Sequence, residues 1–350
     1  MLVLGDYDEK YFLERDPILA HYEFAQNYNK ERLKNMLKKL TGIVIFSALV
    51  LSLSLPSNIL ASVPSKASKD KINASVSVEE GKQIVKKIIS GDYEYDLSTH
   101  ELVKREDRKD KKLPDGTMEP SFASGGSEHS HQYLVARAIN ILDNDGHNNQ
   151  TDILYSEVAN LLEGSDWPDF YERDPNVAGV ATYAGHFYHY SKHTNYLGQT
   201  SPTAMQRMNT WMNSANSYFV DGSNNYAYAL KTLGIALHYL SDMNAPHHVT
   251  NRSALTSGHV VWEDYADSNR EDYTKSSGTL YNDYGTNYSS YAQASANYAS
   301  GYIDEAEATL GDGSPDYTKW DLAAERTYEK CQDTLAAVID AFFRTEGVYN

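Results

Sequence analysis

Apolar side chains recur at helical spacing along most of the second half of the chain. Leu230, Leu233, Gly234, Leu237 and Ser241 recur at helical spacing, which predicts a buried helix. That helix should stop near Pro246, because the residue before a proline is pushed out of the helical region. His131, Leu134, Val135, Ala138, Ile141 and Leu142 mark an earlier helical face, ended by Asn144-Asp145-Gly146. Further helices are expected over 151–162, stopped by Gly164, over 202–219, from His259 onward, over 288–310 and over 317–343. Asp166 to Tyr171 and residues 274–286 read as loops. The period-two alternation of strands is scarce, so the expectation is an all-α domain, with ligand sites between helices.

The N-terminal third reads differently. Residues 1–35 are polar, mixed in charge and without an apolar period. Met36-Leu37-Lys38-Lys39-Leu40 then opens an uncharged apolar run to Leu55, followed by Pro56 and small residues to Ala61. A basic start, a short apolar run and a small-residue exit are the layout of a secretory signal. The run is short for a membrane span, which needs about 20 apolar residues. We therefore read 36–61 as a signal peptide, 1–35 as an over-extended translation start, and the working protein as secreted. Residues 62–120 are rich in Lys, Glu, Asp and Ser, with one short amphipathic stretch at 82–90. They read as a pro-segment or linker that buries little surface. The globular domain is expected over 121–350.

Composition narrows the chemistry. A formal net charge of -17 disfavours a protein that works by neutralising phosphate backbones, so no nucleic-acid partner is expected. One cysteine excludes an internal disulfide and a thiolate zinc site. Histidine and carboxylate are left as metal donors. His238 and Asp242 are four apart, so they share one helix face, and His259 and Glu263 repeat the spacing; His248 lies between the two pairs. Burying so many ionisable groups without a compensating partner would be costly, and imidazole with carboxylate suits zinc.

Five fragments, in order, carry a resemblance. They are Ser130-His131 with Ala138-Ile139; Gly164-Ser165-Asp166-Trp167-Pro168-Asp169; Gly185-His186-Phe187-Tyr188; His238-Tyr239-Leu240-Ser241-Asp242 with Pro246 and His248; and Gly258-His259 with Glu263. Together they resemble the secreted bacterial zinc-dependent phospholipases C, over about residues 121–350. The resemblance implies three zinc ions. One would be held by Asp169, His186, His238 and Asp242. A second would be held by His248, His259 and Glu263. The third would use His131, a shared Asp242 and the backbone of the mature N-terminal residue. It further implies a phospholipid substrate met at a membrane surface by a monomer, Asp169 orienting or deprotonating the attacking water, and Phe170 and Tyr183 beside the headgroup. The family's N-terminal tryptophan has no counterpart in Met118-Glu119-Pro120-Ser121; Phe122 is the nearest aromatic. Two other readings compete: a P1-type single-strand nuclease, whose last ligand is typically aspartate where this chain has Glu263, and a non-catalytic zinc-stabilised lipid-binding module.

Overall fold

The buried helix expected around residue 235 is the axis of the structure, a computed structural model that describes residues 72–97, 99–105, 130–171, 179–220, 226–254 and 256–349. The expectations for 1–35 and 36–61 fall outside these residues. Residues 65–350 form one compact unit. Its helices are α1 (Val78–Ile89), α2 (Ser130–Asn144), α3 (Asn148–Ser156), α4 (Val158–Tyr171), α5 (Ala204–Val220), α6 (Tyr226–Asp242), the single turn α7 (Pro246–Val249), α8 (His259–Ser268), α9 (Tyr288–Ser300), the short α10 (Ile303–Ala306) and α11 (Tyr317–Thr345). One antiparallel hairpin, β1 (Tyr93–Asp96) with β2 (Glu101–Lys104), is the sheet present among the described residues, with Tyr95 opposite Leu102. The architecture is thus all-α apart from that hairpin.

Every side chain of α6 from Ala229 to Asp242 is buried, the polar Lys231, Thr232, His238, Ser241 and Asp242 included. α4 and α5 flank it, and α11 packs across α2 to close the far side. The crossing of α4 over α6 is set by two glycines. A Cβ on Gly164 would strike the Lys231 carbonyl, and one on Gly234 would strike the Leu161 carbonyl, so the two backbones touch. Gly164 therefore does not stop a helix, contrary to the expectation from sequence. α4 runs on through it to Tyr171, with Pro168 inside, and Asp166 to Tyr171 are helical rather than a loop. The chain breaks earlier instead, at Glu157, which divides the expected 151–162 helix into α3 and α4. Likewise 288–310 is two helices, α9 and α10, parted at Gly301.

The segment read as a linker or pro-segment is folded where it is described. α1 starts at Ser77, whose hydroxyl accepts from the Glu80 amide; Glu79 and Glu80 lie in its first turn and Lys86 and Lys87 in its last, matching the helix dipole. Its Gly81, Val85 and Ile88 face the domain, and α1 packs on α3 and α2. The expectation of little buried surface fails because the few apolar residues of this charged stretch all lie on one side. Among the described residues, no helix is long and apolar enough to cross a membrane.

Because the α4–α6 contact leaves no room for a methyl group, Gly164→Ala should cost about 1–3 kcal/mol as an overpacked site. Thermal unfolding should show a fall of several degrees. An unchanged melting temperature would mean that the two backbones can part without loss.

Candidate metal centre

α6 ends in the buried interior of the helical unit, and its last turn carries His238 and Asp242. Around these two, five other elements deliver donors. α2 brings His131 in its first turn, α4 brings Asp169 in its last, the 3-10 stretch Gly179–His186 ends on His186, α7 brings His248, and α8 brings His259 and Glu263. All eight side chains are buried, none more than 6% exposed. They form three groups, each with donor atoms within 4.8 Å of one another: His131, His238 and Asp242; Asp169, His186 and His238; His248, His259 and Glu263. The eight side chains expected from sequence are thus brought together; the mature N-terminal backbone expected at the third ion lies outside the described residues.

Asp242 ties the groups to one another. Its Oδ2 lies 3.0 Å from His186 Nδ1 and 3.5 Å from His238 Nε2, and its Oδ1 lies 3.5 Å from His248 Nδ1 and 3.9 Å from His131 Nε2. Asp169 Oδ1 lies 3.6 Å from His186 Nδ1 and 3.5 Å from His238 Nε2, while its Oδ2 reaches His131 Nε2 at 3.8 Å. In the third group, Glu263 Oε1 is 2.6 Å from His259 Nε2 and 3.3 Å from His248 Nε2.

Backbone carbonyls orient two of the rings. His238 Nδ1 donates to the Ser165 carbonyl at 2.7 Å, and His248 Nδ1 donates to the His186 carbonyl at 2.9 Å. That fixes each ring's orientation and turns its Nε2 toward the other donors, His186 for His238 and Glu263 for His248. Buried imidazoles and carboxylates converging in this way fit divalent zinc, the metal for which nitrogen and oxygen donors of this kind are suited.

The same crowding sets the protonation states. Burial works against the charge on His238, but Asp169 and Asp242 outweigh it and raise its pKa to about 9. His248 also reaches about 9, with burial opposed by Asp242 and Glu263. His131 goes the other way, to about 4, through burial and the neighbouring His238. Burial would raise the carboxylates, yet the histidines hold Asp169 and Asp242 below the usual range and Glu263 down to about 2.

Other side chains support the donors from behind. Phe187 stacks on the His248 ring, with centroids 4.5 Å apart and planes within 1°. His247, beside His248 on α7, is fully buried and stacks on His259 at 5.0 Å. His193 is exposed and His189 half-buried, and neither belongs to a donor group. Of the two headgroup candidates, Tyr183 is half-buried with its ring 5.9 Å from that of His186, and Phe170 is half-buried against the core.

Comparison with known proteins agrees with this centre. The family described as zinc dependent phospholipase C matches residues 130–334, which contain all eight donors. A phospholipase C of Clostridium perfringens is 28% identical over 238 residues, covering 61% of this chain and 58% of the relative. A phospholipase C of Bacillus cereus is 30% identical over 167 residues, covering 44% of this chain and 54% of the relative. The chain thus spans just over half the length of the curated relatives it matches. In structure it is similar to an alpha toxin from Clostridium absonum, with a TM-score of 0.54 at 23% identity, over 63% of this chain and 65% of that one. At that identity the likeness supports the fold.

With pKa values near 9, His238 and His248 are both protonated at pH 7 in the metal-free protein, whereas a ligand imidazole must be neutral. Zinc uptake at pH 7 should therefore release roughly two protons per chain, and affinity should rise with pH up to about 9 and then level. Titration calorimetry in buffers of different ionisation enthalpy measures the release. A value indistinguishable from zero would reject these protonation states.

Proposed function

Because the chain belongs to the zinc-dependent phospholipase C family, we propose that it hydrolyses phospholipids to diacylglycerol and a phosphorylated headgroup. One observation carries the reading: three groups of buried donors, linked through Asp242, lie within the stretch that matches the family. Three groups favour three zinc ions. Bound zinc supplies Lewis-acid stabilisation of phosphodiester charge and lowers the pKa of water. His248, His259 and Glu263 would hold one ion, and Asp169, His186, His238 and Asp242 another. His131 and Asp242 would hold the third.

Asp169 is assigned a second role. Its carboxylate is at the C-terminal end of α4 and is kept ionised by the histidines around it. An ionised carboxylate at the edge of the donor cluster can orient a water and accept its proton. Phe170 follows it directly, and Tyr183 stands beside His186. Aromatic faces attract quaternary ammonium, which favours phosphatidylcholine among phospholipids. We further propose that the protein works as a secreted monomer at a phospholipid surface, after removal of a signal over 36–61.

The direct test is phosphocholine release from phosphatidylcholine, with single-stranded DNA run beside it. The expected result is release that is abolished by chelator and restored by zinc. Cleavage of the DNA without release would move the protein to a nuclease function, and zinc binding with neither activity would leave a lipid-binding module. Asp169→Asn should lower kcat about 100-fold or more, the usual contribution of a positioned acid or base, while zinc content stays near the unmodified level. Near-normal turnover in that variant would remove the base role and leave Asp169 as a ligand.

A further inference from the structure

The segment from Ile72 to Arg105 is joined to the helical domain by contacts that a detachable tail does not need. Val85, Ile88, Tyr95 and Leu97 are part of the same buried cluster as the side chains of α2, α4 and α6. A Cβ on Gly81 would strike the Tyr155 carbonyl, so α1 and α3 also meet backbone to backbone. Polar contacts run the length of the junction. The Asn73 amide donates to Asn160 Oδ1 at 2.9 Å, and Asn160 Nδ2 returns a bond to the Asn73 carbonyl at 3.1 Å. The Val76 amide donates to the Ser156 carbonyl at 2.9 Å, His100 pairs with Glu163, and Arg105 Nη1 reaches Glu271 at 3.2 Å.

Gln132 makes the closest connection to the centre. Its carboxamide pairs with both backbone groups of Tyr95, accepting from the amide at 2.7 Å and donating to the carbonyl at 2.8 Å. It covers the outer edge of β1 as a neighbouring strand would. The same Nε2 donates to Asp166 Oδ2 at 2.6 Å. Gln132 follows His131 on α2, and Asp166 lies three residues before Asp169 on α4, so one buried amide joins the hairpin to two donor-bearing helices.

We propose that residues 72–105 are a permanent part of the folded domain, staying bound without a covalent link when the chain is cut between Arg105 and Ser130, and that through Gln132 they hold the helices bearing His131 and Asp169 in place. Processing downstream of Arg105 would then yield a two-piece protein rather than a shorter one. This holds whichever phosphodiester the centre acts on, so it stands or falls separately from the phospholipid reading.

The test uses the full chain with a specific protease site inserted between Lys112 and Leu113. After complete cleavage, the N-terminal piece should co-elute with the remainder in size-exclusion chromatography and separate only in denaturant. A piece that elutes alone from a still-folded remainder in native buffer overturns the proposal. In the same nicked protein, Gln132→Leu should speed release of the piece about tenfold, as expected for two lost hydrogen bonds, and should lower zinc per chain by metal analysis. Asn160→Ala, which removes both bonds to the Asn73 backbone and lies nine residues before Asp169 on α4, should speed release and leave zinc content unchanged. Unchanged zinc in Gln132→Leu would overturn the positioning role, and equal zinc loss in both variants would reduce it to general destabilisation.

Discussion

Five imidazoles and three carboxylates share one buried volume, and the cost of that burial governs the rest of the molecule. An isolated buried charge is expensive, and neighbouring donors reduce the expense only when they are held at fixed separations. Asp242 shows the constraint most sharply. It is 1% exposed, and each of its oxygens faces two histidines, so its ionised form depends on all four rings staying where they are. The framework answers with rigid supports. Donors stand on helix ends and short turns, two rings are oriented by backbone carbonyls, and Phe187 and His247 stack against others. Cations are the remaining part of the balance, and the protonation of His238 and His248 in their absence is the same electrostatic demand met by protons.

Much of this was legible from the chain because the signals are local. His238 with Asp242, and His259 with Glu263, sit four apart on helices, and α6 announces its burial through apolar residues that recur at helical spacing. What escaped was set by partners distant in sequence. Gly164 after an apolar run reads as a helix end, and only the presence of Gly234 on the opposing helix turns it into a crossing point. Gln132 and Asp166 look like ordinary surface polar residues until the hairpin and α4 are placed on either side of them. The hairpin was missed for a related reason. Tyr93-Glu94-Tyr95-Asp96 is short and acidic, and its burial comes from what it lies against rather than from its own hydropathy.

The charged N-terminal stretch also shows how little apolar surface is enough when it is one-sided. α1 is highly polar by composition, yet Val85 and Ile88 are almost completely covered. The charges point outward, and the dipole-matched ends keep a twelve-residue helix in register with α3. A segment of this kind resembles disorder in composition and structure in pattern, and pattern decides.

The α4–α6 crossing has a consequence for variation. Where two helices meet through side chains, their separation depends on which rotamers and volumes happen to fill the gap. Here it depends on the thickness of two peptide backbones, a dimension that substitution elsewhere cannot alter. The crossing acts as a gauge block between Asp169 on one helix and His238 on the other. A change of side-chain volume elsewhere in the core therefore leaves this one separation as it is, and with it the footing of the donors on both helices.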